Sequence, residues 1–127
     1  MRKRRILLVD DEVAISRALA MYLTENGGCE VCVENSGSCA LAAARTFRPD
    51  LILLDIVMPD ADGGTLAAQM KADPVLKDTH IVFLTALVSR HETGRGSKTI
   101  GGLPFLAKPI DPDTVLEYID QHVLVRG

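Results

Sequence analysis

The stretch PDLILLDIVMPDADG, residues 49–63, decides the fold class of this chain. Its four consecutive apolar residues, 51–54, run directly into Asp55. A short, uninterrupted apolar run bounded by turn residues is typical of a strand buried on both faces, as in a parallel sheet covered by helices. The stretch therefore predicts a central strand with a carboxylate at its carboxyl end.

Four more apolar runs of this kind lie outward from the central one, and amphipathic segments separate them. The five predicted strands are residues 6–9, 30–33, 51–54, 81–84 and 104–107. Strands that alternate with helices predict an α/β fold with helices on both sheet faces. For a chain of this length we expect the (βα)5 flavodoxin-like, doubly wound, five-stranded parallel sheet with strand order 2-1-3-4-5.

The sequence indicates some of the helices more clearly than others. Residues 12–26 form the first, with Gly27-Gly28 as its stop, and the alanine-rich residues 40–47 form a short second helix. Leu66 and Met70 indicate a third, and Asp111-Pro112 starts the last as N-cap and first helical residue. Residues 89–99 contain no large apolar side chain and two glycines, so we expect a weak or mobile fourth helix there.

Length and charge restrict the function. The 127 residues predict one domain, 1–127, with no output domain, and the net charge of -3 argues against nucleic acid or an anionic membrane as the main partner. No apolar stretch approaches the roughly 18 residues of a membrane helix. The basic start, residues 1–5, is followed by too short an apolar run for a signal peptide. We expect a cytoplasmic protein.

The pair Cys29 and Cys32 has the C-x-x-C spacing of redox and zinc sites. Residues three apart in a strand point to opposite faces, so the two thiols cannot easily share a metal. With three cysteines and no second Cys/His pair at ligand spacing, we expect buried, reduced, structural thiols.

Carboxylates gather where the strand order reverses, the place at which ligands bind in such sheets. Asp10 and Asp11 follow the first strand and Asp55 follows the third. Like charges in one crevice require a cation, and hard oxygen ligands favour Mg²⁺. Thr85 and Lys108 follow the fourth and fifth strands, so a hydroxyl and an ammonium are predicted beside the metal, where a phosphoryl group needs them.

These pieces resemble the receiver domains of response regulators in two-component signalling, of the single-domain chemotaxis type. The resemblance lies in ILLVDDE, PDLILLDIVMPDADG, the LTA that ends at Ala86, and FLAKP at 105–109, and it covers essentially the whole chain. It implies that Asp55 is the phosphoacceptor and that Mg²⁺ is held by Asp10, Asp11, Asp55 and the backbone carbonyl of Val57. It also implies a switch pair, Thr85 and Phe105, and a cis Lys108-Pro109 bond.

The resemblance further implies a switch that catalyses only its own phosphorylation and dephosphorylation. A sensor histidine kinase or phosphotransfer protein would supply the phosphoryl group, and the surface of the fourth helix, fifth strand and fifth helix would change its affinity for a downstream protein. The chain would be a monomer or a phosphorylation-dependent dimer. A small Mg²⁺-dependent phosphoaspartate phosphatase is the alternative.

Three local features qualify this picture. Receivers often carry tyrosine at the position of Phe105, so a hydrogen bond from that ring is absent here. Val57 and Leu87, two residues beyond Asp55 and Thr85, are apolar. Neither can orient a water molecule, which predicts slow self-dephosphorylation. Residues 60–63 resemble the start of a calcium loop, but no glutamate follows at the loop end, so a turn is the better interpretation.

Overall fold

The computed structural model of the protein describes residues 2–86 and 99–124. Strands and helices alternate along these segments. The strands are β1 (Arg5–Val9), β2 (Glu30–Glu34), β3 (Leu51–Asp55), β4 (Val57–Met58), β5 (Ala61–Asp62), β6 (His80–Thr85), β7 (Thr99–Ile100) and β8 (Leu103–Ala107). The helices are α1 (Val13–Gly27), a short 3-10 helix (Gly37–Cys39), α2 (Ala40–Phe47), α3 (Gly63–Ala72) and the C-terminal helix (Pro112–His122).

The main sheet has the order β2-β1-β3-β6-β8-β7, and its first five strands are parallel. These five are the predicted strands, so the doubly wound fold and the order 2-1-3-4-5 are confirmed. Strand β3 lies in the middle, paired with β1 through Val9 and Leu54 and with β6 through Asp55 and Leu84. Asp55 is therefore the last residue of the central strand.

Alternate residues of the central strands enter two separate cores. Leu7, Ile52 and Phe83 pack beneath α2 and α3. Leu8 and Leu53 pack beneath α1 and the C-terminal helix. All four residues 51–54 are completely buried, which is why this run carries no alternation of apolar and polar residues.

The helix ends follow the predicted stop and start residues. Gly28 has a left-handed backbone with φ 62°, and its N–H donates to the carbonyl of Leu23, which ends α1. The Asp111 carboxylate accepts from the N–H of Asp113 at the start of the C-terminal helix. None of the helices in the described segments is long and apolar enough to cross a membrane.

A hairpin that the sequence analysis did not predict forms the far edge of the sheet. Strand β7 pairs antiparallel with β8 through Ile100 and Leu103, across a turn in which Gly101 and Gly102 both have positive φ. The predicted weak fourth helix, residues 89–99, lies outside the described residues except for Thr99, which belongs to β7. Leu87 also lies outside them.

The two cysteines of the C-x-x-C pair lie on opposite sides of the sheet, as expected. Cys29 packs with the core beneath α1 and Cys32 with the core beneath α2. Cys29 is buried and Cys32 only half-buried, and Cys39 is exposed, so the expected burial of the thiols is wrong for Cys39. Because β2 is an edge strand, its side chains have a neighbouring strand, β1, on one side only.

Candidate functional site

Three carboxylates converge at the carboxyl ends of β1 and β3. Asp10 and Asp11 follow β1, and Asp55 ends β3 directly beside it. One carboxylate oxygen from each of the three lies within 4.8 Å of the others. Asp10 and Asp55 are only 1% and 4% exposed, and Asp11 is the most accessible of the three. The structure therefore brings together the acidic residues that the sequence placed at the sheet reversal point.

Lys108 inserts its ammonium group among these carboxylates. Its Nζ lies 3.0 Å from Asp10 Oδ2, 2.9 Å from Glu12 Oε1 and 3.1 Å from Asp55 Oδ2. Burial alone would lower the pKa of Lys108, but the hydrogen bonds to Glu12, Asp10 and Asp55 outweigh it and raise that pKa above its usual value. Lys108 is therefore cationic throughout the physiological range.

The backbone around Lys108 fixes its approach. Its N–H donates to the carbonyl of Thr85, at 2.9 Å, and the Lys108-Pro109 peptide bond is cis. The cis bond was implied by the resemblance and is present. Lys108, the residue directly after β8, therefore lies beside the acidic cluster.

Asp55 is held in a partly desolvated position. Burial raises its pKa above the ordinary value, and the Lys108 ammonium and the Val57 N–H, which donates to Oδ1 at 3.1 Å, reduce that rise. The neighbouring Asp10 charge adds to the rise. A carboxylate that is poorly solvated and has few donors is a better nucleophile than one in bulk water.

The two predicted switch residues lie on the next strands. Thr85 is 2% exposed and follows Leu84, the residue that pairs with Asp55. Phe105 pairs with Phe83 and packs, half-buried, against the core beneath α2 and α3. Both lie at the same edge of the sheet as Asp55.

Sequence reasoning missed three residues at this edge. Glu12 contacts Lys108, but the sequence analysis assigned it no role although it directly follows the acidic pair. Asn35 donates to the backbone carbonyl of Asp10, and Asp60 binds the loop after β2. Adjacency to Asp11 could have indicated Glu12, whereas the contacts of the other two depend on how loops meet in space.

The residues present fit a divalent cation of the magnesium type. The donors are all carboxylate oxygens, which hard cations prefer. Four carboxylates, those of Asp10, Asp11, Glu12 and Asp55, lie here, and within the part of the chain that the structure describes one ammonium, that of Lys108, contacts three of them. A negative charge therefore remains that a cation would neutralise.

The fold and the site define a class of protein, and comparison with known sequences agrees. The response regulator receiver domain family matches residues 6–120. The chain belongs to this family, whose members are phosphoacceptors in two-component signalling.

Among its relatives, the chain is 42% identical over 107 residues to the response regulator PleD of Caulobacter vibrioides, covering 84% of this chain and 23% of PleD. It is 29% identical to Protein PilG of Pseudomonas aeruginosa, covering 94% of this chain and 87% of PilG. Against the chemotaxis protein CheY4 of Vibrio cholerae, the TM-score is 0.79 at 30% identity, covering 94% of this chain and 98% of that one. The chain spans between 23% and 53% of the length of the first curated relatives it matches.

Proposed function

We propose that this chain is a phosphorylation switch in a His-to-Asp phosphorelay, in which Asp55 accepts the phosphoryl group in a Mg²⁺-dependent reaction. One observation carries the proposal: Asp55 ends the central strand within 4.8 Å of Asp10 and Asp11 and 3.1 Å from the Lys108 ammonium. A cytoplasmic location remains part of this proposal.

Asp10, Asp11 and Asp55, with the backbone carbonyl of Val57, would hold the metal ion. When bound, Mg²⁺ supplies positive charge that offsets the charge of an incoming phosphoryl group. This role suits the cluster because its carboxylates outnumber the contacting ammonium. The donors come from two neighbouring strand ends, so the fold itself delivers them to one point.

Asp55 acts as the nucleophile. One of its oxygens forms a bond to phosphorus in line with the bond that breaks, which joins phosphorus to a histidine nitrogen or to a small leaving group. Lys108, whose Nζ already lies within hydrogen-bonding distance of Asp55 Oδ2, donates to a phosphoryl oxygen as charge spreads over that group. The product is an acyl phosphate. No bond to the carboxyl carbon breaks, and Asp55 reacts in its deprotonated form.

The readout uses Thr85 and Phe105. The phosphoryl group attracts the Thr85 hydroxyl, and the space that this side chain leaves lets Phe105 turn inward. Phe105 is half-buried, in contrast to the completely buried residues 51–54 of β3. The resulting surface, which includes β8 and the C-terminal helix, would change the affinity for a downstream protein, as a population shift. The sensor histidine kinase or phosphotransfer protein is the donor partner.

The decisive experiment is phosphorylation by a small phosphodonor with and without Mg²⁺, followed by intact mass. We expect one phosphoryl group per chain, dependent on Mg²⁺, absent from Asp55→Asn and retained in Asp78→Asn, an exposed aspartate remote from the site. Modification that persists in Asp55→Asn would contradict the proposal. Steady phosphate release from sugar phosphates would instead favour a small phosphoaspartate phosphatase.

A further inference from the structure

The loop of residues 35–38, which we call the bracket loop, lies between the loop after β1, which carries Asp10 and Asp11, and the β4–β5 hairpin that follows Asp55. It follows β2, and its last two residues begin the 3-10 helix that leads into α2. None of its residues belongs to the phosphoryl site described above. It nevertheless contacts both the segment after β1 and the segment after β3.

On the first side, Asn35 holds the backbone of Asp10. Its Nδ2 donates to the Asp10 carbonyl at 2.6 Å and to Ser16 Oγ at 3.0 Å. The Asp10 N–H donates to the carbonyl of Glu34 at 3.1 Å. The N–H and the carbonyl of Asp10 are thus bonded to consecutive residues, Glu34 and Asn35. The side chain of Asn35 continues the hydrogen bonding between β1 and β2 beyond the end of β2.

On the second side, Asp60 docks the acceptor loop onto the bracket loop. Its Oδ2 accepts from Ser36 Oγ at 2.8 Å and from the Ser38 N–H at 3.2 Å, and its Oδ1 accepts from the Gly37 N–H at 3.1 Å. These hydrogen bonds, that of the Ser36 hydroxyl foremost, lower the pKa of Asp60 below its ordinary value.

The two loops also meet without spare room. A methyl group added at Gly37 would lie 2.4 Å from the Cβ of Ala61 and 3.2 Å from Asp60 Oδ1. Ala61 pairs with Met58 across the short β4–β5 hairpin that follows Asp55. The hairpin is therefore fixed against the bracket loop by close packing as well as by hydrogen bonds.

We infer that the bracket loop positions both halves of the metal site, with Asn35 and Asp60 as the positioning residues. The inference rests on the proposed function. Three carboxylates within 4.8 Å of one another repel; Asp10 and Asp11 belong to the loop after β1, and Asp55 ends β3 just before the β4–β5 hairpin. A common anchor resists their separation in the metal-free protein, so that less free energy is spent on assembling the site when Mg²⁺ binds.

The test compares Mg²⁺ binding by variants of the whole chain. Asp60→Ala removes all three contacts, and Asp60→Asn keeps one carbonyl acceptor. Asp73→Asn is the matched control, because Asp73 is a buried carboxylate that also ties α2 to another loop, through Arg45, at the opposite edge of the sheet. The chain contains no tryptophan, so backbone amide shifts in a Mg²⁺ titration are the suitable signal, with urea unfolding measured in parallel.

We expect Asp60→Ala to weaken Mg²⁺ binding about tenfold, the lower range for groups that support metal ligands. The Mg²⁺ affinity of Asp60→Asn should lie between those of the wild type and Asp60→Ala. Phosphorylation at saturating Mg²⁺ should stay near the wild-type rate, since Asp60 touches no reacting atom. Asp73→Asn should lose stability and keep wild-type affinity. Asn35→Ala should weaken binding in the same direction as Asp60→Ala.

Wild-type affinity in both Asp60→Ala and Asn35→Ala would overturn the inference while leaving the proposed function intact. An equal loss of affinity in Asp73→Asn would also overturn it, because the effect would then follow stability alone. A wild-type chain that binds no Mg²⁺ and accepts no phosphoryl group would overturn the proposed function and this inference together.

Discussion

The ammonium of Lys108 lies 3.1 Å from Oδ2 of Asp55, although the two residues are 53 positions apart in the chain. The parallel sheet makes this contact, since β3 and β8 both end at the same edge. Lys108 thereby serves as the resident cation of an acidic cluster. This arrangement gives it two opposed effects, on metal affinity and on phosphoryl transfer.

Replacing Lys108 with methionine should separate those two effects. Loss of the donor to the phosphoryl oxygens should slow phosphorylation of Asp55 roughly a hundredfold, as for other transition-state donors. Mg²⁺ should bind more tightly, because the carboxylates lose their competing cation. Time courses by intact mass and an amide-shift titration measure the two quantities, with exposed Lys77→Met as the control. Weaker Mg²⁺ binding in Lys108→Met would contradict this account.

Val57 offers a test of the lifetime of the phosphorylated state. Val57 is 57% exposed, and its N–H contacts Asp55 Oδ1, so this residue is both accessible to water and next to the acceptor carboxylate. Val57→Asn should accelerate loss of the phosphoryl group, because an amide can orient the attacking water. The pairing with Leu87→Glu remains a prediction from the sequence. Decay of the purified phosphoprotein, followed by intact mass, measures the rate. Equal decay in the wild type and the double variant would show that these positions do not limit hydrolysis.

Two adjacent glycines in α3 should respond oppositely to alanine. A Cβ at Gly63 would lie 2.6 Å from the Asp55 carbonyl oxygen and from Ile56 Cα, which are backbone atoms that cannot turn aside. A Cβ at Gly64 would meet nothing closer than Asp62 Oδ2 at 3.6 Å. Gly63→Ala should cost roughly 1–3 kcal/mol of unfolding free energy, and Gly64→Ala should be neutral or stabilising by up to about 1 kcal/mol. Urea unfolding distinguishes them, and equal effects would refute the close approach.

His80 should make stability fall in mildly acidic solution. Its Nε2 lies 2.6 Å from the Tyr118 hydroxyl, and burial, then the charges of His122 and Lys71, lower its pKa below 6.5. The folded state therefore binds the proton less readily than the unfolded chain. The free energy of unfolding is fully retained above pH 6.5 and decreases as the pH falls from there towards the folded-state pKa.

The measurement is urea unfolding of wild type and His80→Gln at a series of pH values from 7.5 to 5.5. The variant should lose part of the slope with pH in this interval. It will also lose the Tyr118 contact, so its stability at pH 7.5 is expected to be lower. Identical slopes would contradict the assignment, whatever the difference in absolute stability.

Much of the fold could be predicted from local patterns. The continuous apolar run at 51–54 is completely buried, and Gly28 and Asp111 end and begin helices as their chemistry requires. The β7–β8 hairpin was not predicted, because Gly101-Gly102 was assigned no role. In the structure Ile100 pairs with Leu103 across these two glycines.

The sequence alone determined which side chains stand at the carboxyl ends of the strands, since a strand that runs straight into Asp55 or Lys108 places that residue at the sheet edge in any parallel arrangement. Only the tertiary structure decided which of these side chains touch. Glu12 shares the Lys108 ammonium, Asn35 bonds to Asp10, 25 positions away, and Asp60 joins the hairpin after Asp55 to the loop after β2. Hydrogen bonds between loops depend on distances of tenths of an ångström that no local pattern of residues encodes.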